Sequence, residues 1–389
     1  MLAAGCANSA PQQKDDSDGG GLVHAERLRS FSADEVTSVL NADGFDSSAV
    51  RFGVDTYALE YRTVDPAGRE TTATGLLALP HNDSHDLTVV AYQHGTMATK
   101  AFAPSVAADS GDLAATISYA GAGFAAVAPD YLGLGRGPGS HPYMDVPSET
   151  TASLDMLRAA RTHAGSVDRQ FRHEVDIVGF SQGGPASMAL AGAIQGGADA
   201  WFHGAAVAAI SGPFDLRAAE FPALLNNSLD PTSGVFYASY LLVAWQGLHG
   251  LYGSPSEVFK APYDGIVTQL FDGSHTDEDI VKALPQNVDE LLTPHGIDML
   301  RNPTGAFSDA LQTADSTCGD WTPKMPVRLF TGSKDRDVAT DNSAKCQAAL
   351  REHGVDAPVT DLGPVDHGGS GKAGTGAAVH WFMELAAAK

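Results

Sequence analysis

The stretch Val175–Gly184, Val-Asp-Ile-Val-Gly-Phe-Ser-Gln-Gly-Gly, constrains this chain more than any other. Its mostly apolar start, Val175–Val178, reads as a buried strand, and the small-residue run Pro185–Ile194 that follows reads as a helix. Between them lies Gly179-Phe180-Ser181-Gln182-Gly183. A serine on so sharp a strand-to-helix turn has a strained backbone, and the residues two before and two after it must be small for the chain to pass. Gly179 and Gly183 meet that need. With 42 glycines in 389 residues the bare spacing can arise by chance, so the flanking strand and helix are what mark it as a nucleophile elbow.

Strand and helix patterns alternate on both sides of the elbow. Val50–Asp65, with Tyr57, Leu59 and Tyr61 alternating, and Thr71–Leu79 read as paired strands joined by the turn Pro66-Ala67-Gly68. Leu87–Gln93, Phe124–Pro129 and Ala205–Ile210 read as buried strands, and Leu113–Gly121 and the amphipathic Thr150–His163 as helices. From about Arg217 to Pro323 strand signals fade and aromatic-rich helical patterns such as Phe236–Leu251 take over. The alternation resumes with strand Val327–Thr331, helix Asn342–His353, strand Val359–Leu362 and a helix around Ala377–Ala387. This order predicts an α/β architecture, a mostly parallel central sheet with helices on both faces and an inserted, mostly helical cap. The expected division is a tether over 1–21, core over 22–216, cap or lid over 217–323, and core again over 324–389.

The 47 acidic residues outnumber the 24 basic ones, for a net charge of −23. Such a surface repels phosphate backbones, which argues against nucleic acid as a partner. It would suit a saline habitat, in which case stability should climb with molar salt, and a flat response would exclude that idea. No apolar run reaches the length of a transmembrane helix. At the start, Ala3-Ala4-Gly5-Cys6 resembles a lipobox, whose cysteine becomes the lipidated first mature residue. The charged and apolar parts of a signal are missing before it, which reads as a trimmed start. Pro11–Gly21 is polar and Gly/Asp-rich, as a tether would be. The expectation is an extracytoplasmic protein, secreted or anchored to a bacterial envelope through a lipid on Cys6; an ordinary disordered terminus is the alternative. In that compartment Cys318 and Cys346 can form a disulfide, adding about 3 kcal/mol in the chain-entropy model, against the alternative of two unlinked buried thiols.

A serine hydroxyl is a weak nucleophile until a base takes its proton, and histidine is the base that is neutral near pH 7. A carboxylate behind the imidazole fixes its tautomer, and at an elbow the partners follow in chain order, each at the carboxyl edge of the sheet. Of 14 histidines, His367 comes directly after the last strand and before the last helix, so it is the candidate base. His353 and His380 fall within helices. After strand Val327–Thr331, two carboxylates compete for the acid. Asp335 stands early in the loop and is preferred; Asp337 would pair with Arg336 or cap the next helix. Asp366 reads as a turn residue. For the oxyanion the candidate donors are the backbone amides of Gln182 and Thr96, with Gly95 next. His94 is expected to pack under that loop and bond to backbone, and Asp130 to tie adjacent loops together. Asp272–Asp279 could be taken for a metal loop, but Thr276 with Asp279 makes a helix cap ahead of Ile280, the preferred assignment.

With Ser181, Asp335, His367 and the His94-Gly95-Thr96 loop in this order, the chain resembles an α/β-hydrolase with a serine triad, from about Val50 to Ala386. Ala128-Pro-Asp-Tyr-Leu-Gly-Leu-Gly135, His141-Pro-Tyr143 and Leu154-Asp-Met-Leu-Arg-Ala-Ala160 narrow the resemblance to bacterial members of the secretory, lipase-A-like family. It departs from many hydrolases at Ala339, where they have proline after the valine. The resemblance implies hydrolysis of carboxylic esters, small-molecule or lipid, with no metal and no cofactor, and a helical cap inserted before the acid strand. Phe236, Tyr237, Leu241, Leu242 and Trp245 either line an acyl pocket or form the cap's own core. Two rivals remain: a serine peptidase of the same fold, and a non-catalytic binding protein that kept the fold.

Overall fold

In the computed structural model, which describes residues 19–388, nine strands form one sheet. They are β1 (Leu22–Phe31), β2 (Val54–Val64), β3 (Glu70–Pro80), β4 (Asp86–Gln93), β5 (Ala125–Pro129), β6 (Gln170–Phe180), β7 (His203–Ile210), β8 (Val327–Thr331) and β9 (Val359–Asp361). Their spatial order is β1-β2-β3-β5-β4-β6-β7-β8-β9. The first three strands and the β3–β5 pair are antiparallel; from β5 to β9 every neighbouring pair is parallel. The parallel strands therefore deliver their carboxyl ends, and the loops that follow them, to one edge.

Strands buried on both faces explain the continuous apolar runs of the sequence. Leu87, Val89 and Ala91 of β4 and Val175 and Ile177 of β6 point into one layer, packed on helices α3 (Val146–Ser166) and α4 (Gly183–Gln195). Val90, Tyr92 and Val178 point into the other, packed on α1 (Ala33–Asp43), α2 (Gly111–Gly121) and the C-terminal helix His367–Ala387. Between β7 and β8 the chain forms a run of helices, with one isolated bridge, Phe259 to Leu292, and a separate hydrophobic cluster that Ala98, Tyr143 and Met144 join from the loops after β4 and β5. Thr276 caps one of these helices, accepting from the Asp279 amide. Cys318 and Cys346 are joined by a disulfide that ties the end of this segment to the helix Asp341–Glu352. Cys6 lies outside the described residues.

Three features depart from the sequence-based expectation. β1 and α1 precede the first expected strand; β1 is an edge strand that is mostly exposed, so it shows no apolar alternation. The C-terminal helix starts at His367, ten residues earlier than expected, through a stretch rich in glycine. Packing overrides propensity there, because the helix lies so close to the sheet that a Cβ on Gly371 would sit 2.9 Å from the Phe180 ring and one on Gly374 2.6 Å from Ile210. Asp337 does not cap the next helix, which begins after Thr340 with no side-chain cap.

Candidate active site

β6 enters the turn with Gly179, and Ser181 adopts φ 55°, a left-handed conformation costly for a residue with a Cβ. Its N–H donates to Ile210 O of β7 at 2.9 Å, which holds the strained residue in place. Both glycines of the motif are sterically required. A Cβ on Gly179 would overlap Gly183 O, and one on Gly183 would overlap Gln93 O at the end of β4. Strain recurs along this edge, where Tyr131 after β5 and Ser211 after β7 also have positive φ. Such residues cluster where surrounding structure over-determines the backbone.

The structure brings the three expected side chains together at the carboxyl edge. His367 Nε2 lies 2.8 Å from Ser181 Oγ and its Nδ1 lies 2.7 Å from Asp335 Oδ2. Asp335 Oδ1 accepts the backbone N–H groups of Asp337 and Val338, each at 3.0 Å, so the loop after β8 fixes the carboxylate. Asp366 is the N-cap of the C-terminal helix and accepts from the Gly369 amide at 2.8 Å, which sets where His367 begins that helix. The imidazole rests on the Phe180 ring, with centroids 4.8 Å apart. All three side chains are nearly buried.

Facing the serine is the loop after β4. His94 lies beneath it, its ring nitrogens 2.7 Å from Gly95 O and 3.2 Å from Asp130 O. A Cβ on Gly95 would stand 3.3 Å from Ser181 Cβ, so glycine lets this loop close on Ser181. Thr96 borders the same cavity as Ser181, and its hydroxyl meets Tyr143 OH at 3.0 Å. Asp130 does tie loops together: it accepts from Thr74 Oγ1 at 2.6 Å, from the Ser105 amide at 2.9 Å, and from Ser105 Oγ.

Above Ser181 opens a narrow cavity of about 60 Å³, walled by Thr96, Tyr143, Leu224, Tyr237 and Leu241. The aromatic stripe of the insertion therefore divides. Tyr237 and Leu241 reach the cavity, whereas Phe236, Leu242 and Trp245 belong to the insertion's core, with Trp245 Nε1 donating to Tyr143 O at 3.0 Å. Glu220 and Asp337 also border the cavity. Glu220 Oε1 accepts from the Ala339 amide at 2.9 Å and from Asn342 Nδ2, and burial pushes its carboxyl up to about 8. Behind the elbow, Gln182 Nε2 donates to Glu149 Oε1 at 2.6 Å. No sequence signal distinguishes Glu220 or Glu149 from solvent-facing helix acids; both are recognisable only once packing is known.

No protein-family model and no curated protein sequence matches the chain. Among solved structures it is similar to a putative hydrolase from Legionella pneumophila, with 23% identity and a TM-score of 0.86 over 95% of this chain and 98% of that one. It is also similar to the rice cell wall degrading esterase LipA from Xanthomonas oryzae, with 26% identity and a TM-score of 0.80 over 94% of this chain and 95% of that one. Candida antarctica lipase A is more distant, at 15% identity and a TM-score of 0.64 over 90% and 77%. The chain thus has the α/β-hydrolase fold, and its structural neighbours are hydrolases, esterases and lipases.

Proposed function

We propose that the chain is a serine carboxylic-ester hydrolase, an esterase or lipase, that works through an acyl-enzyme. The observation that carries this is the unbroken run from Asp335 Oδ2 through His367 to Ser181 Oγ, at 2.7 and 2.8 Å. A carboxylate only accepts hydrogen bonds, so Nδ1 of a neutral His367 holds the proton and Nε2 offers its lone pair to the serine hydroxyl. His367 takes the Ser181 proton as Oγ attacks the ester carbonyl. The tetrahedral oxyanion is held by the backbone amides of Gln182 and Thr96, each such donor supplying about 2.7–4 kcal/mol. The C–O bond then breaks and the alcohol leaves with the proton from His367. A water, deprotonated by the same imidazole, attacks the acyl-enzyme; the acid departs and Ser181 regains its proton.

The helical insertion over 217–323 acts as the cap in this proposal, with Leu224, Tyr237 and Leu241 taking the acyl chain. The Cys318–Cys346 bond supports an extracytoplasmic site of action. Hydrolysis of p-nitrophenyl butyrate by the purified chain tests the activity. Ser181→Ala should lower kcat at least ~10³-fold, and a variant that keeps full activity would overturn the assignment. Faster turnover of a matched p-nitroanilide than of the ester would favour a peptidase instead.

A further inference from the structure

Behind the elbow, three buried side chains form a cluster that the acyl-transfer steps do not use. Gln182 Nε2 gives one hydrogen to Glu149 Oε1 at 2.6 Å and the other to His141 Nε2 at 3.0 Å. His141 Nδ1 donates to Leu132 O at 2.8 Å, which leaves Nε2 as the acceptor that Gln182 needs. Burial pushes this imidazole down to about 3, so it stays neutral. Two atoms of the cluster are buried without a hydrogen-bond partner, Glu149 Oε2 and Gln182 Oε1. If Glu149 were ionised, both would be bare acceptors, stripped of water with nothing in return. They belong to side chains that already touch, and a single proton serves both.

We propose that Glu149 is a neutral carboxylic acid whose Oε2–H donates to Gln182 Oε1. The resulting acid–amide pair holds Gln182, and with it the backbone N–H that meets the oxyanion. This rests on the oxyanion role given to Gln182 above. Glu149 touches no reacting atom, so it is a positioning residue. Its surroundings favour the neutral form: burial pushes the carboxyl up to about 8, Asp145 at the start of the same helix pushes the same way, and the Gln182 bond and the Met144 N–H oppose them. Tyr131 and Tyr143 face it from the loops beyond the strands, and both are pushed far up by burial, with Glu149 adding to it. Among the described residues no cation acts on it. Ionisation would remove the Oε2–H donor and set carboxylate lone pairs against the amide oxygen, loosening the clamp.

The test is kcat and KM for p-nitrophenyl butyrate across the alkaline range, corrected for spontaneous hydrolysis. Wild-type kcat should fall about tenfold above pH 8 with KM unchanged, a fraction of what losing a whole oxyanion donor costs. Glu149→Leu should lower kcat about tenfold or more at pH 7, and Glu149→Gln, whose amide repeats the acid's hydrogen bonds, should rescue it to within about threefold and abolish the alkaline fall. Glu220 is also pushed up to about 8, so Glu220→Gln is measured alongside and should keep the fall in kcat. Infrared difference spectra of wild type against Glu149→Gln should show a protonated-carboxyl band at pH 7. That readout needs no turnover, so a chain without esterase activity would refute the function while still reporting the state of Glu149. A carboxylate band at pH 7, an alkaline fall that survives in Glu149→Gln, or a Glu149→Gln protein that is crippled or unfolded would each overturn the proposal.

Discussion

Replacing Gly183 with alanine tests whether the serine's position depends on the tightness of its turn. A Cβ built there overlaps Gln93 O and lies 2.5 Å from Gln93 C and 2.9 Å from His94 O. These are backbone atoms at the end of β4, so no side chain can swing aside. Carbon–carbon contact needs roughly 3.5 Å, so α4 and the loop after β4 must separate by about 1 Å. Ser181 and Thr96 sit on opposite sides of that gap. A displacement of ~1 Å costs about 100-fold in rate, and overpacking a dense core costs roughly 1–3 kcal/mol of stability. The control is Gly165→Ala in α3, where a Cβ meets nothing within 4 Å. It should gain ~0.5–1 kcal/mol and leave turnover unchanged. Thermal melting and p-nitrophenyl butyrate turnover read both effects. A Gly183→Ala protein that melts with wild type and hydrolyses the ester at the wild-type rate would refute the steric reasoning.

Three further outcomes are expected. Reducing the disulfide, or replacing Cys318 and Cys346 by serine, should cost about 3.6 kcal/mol in denaturant unfolding, given the separation of 28 residues that the bond spans. Equal midpoints with and without the bond would contradict this. Glu220 is an acid whose pKa rises on folding, from 4.5 to about 8. The folded state therefore binds the proton more tightly, and stability is lost as pH rises from about 4.5 through 8. Glu220→Gln should remove part of that loss and gain a few kcal/mol at about pH 9; an unchanged stability–pH slope would show that the carboxyl is not held neutral. The small cavity should favour esters of short acids, and Leu241→Ala should move the optimum among p-nitrophenyl esters to longer chains, whereas an unmoved optimum would place the acyl group elsewhere.

The parts of this molecule that announce themselves in sequence are those governed by local rules. Gly179 and Gly183 are there because a turn cannot close with any larger residue, and Val175, Ile177 and Val178 of β6 and Val327, Leu329 and Phe330 of β8 are apolar because both faces of those strands are covered. His367 and Asp335 are found by their place after β9 and β8. What stayed hidden depends on tertiary contacts. β1 carries Glu26, Arg27 and Arg29 because it is an edge, held by its ladder to β2 and by ion pairs such as Arg27 with Asp55 at 2.6 Å. In the first turns of the C-terminal helix, Gly371 and Gly374 are glycine because Phe180 and Ile210 press against them. Glu149 and Glu220 occupy helical positions like any surface acid, and only the neighbouring Gln182, Ala339 and Asn342 reveal that they are buried and bonded. The aromatic stripe at 236–245 could not be divided by periodicity, since cavity-lining and core positions are neighbours on one helix and Leu241 is both.

The most direct test is covalent capture of the hydroxyl at the elbow. Intact-mass measurement after treatment with a fluorophosphonate should show one adduct per chain, mapped by peptide sequencing to Ser181, absent in Ser181→Ala and slower to form in His367→Ala. A folded protein that takes up no label, or takes it at another residue, would contradict the account.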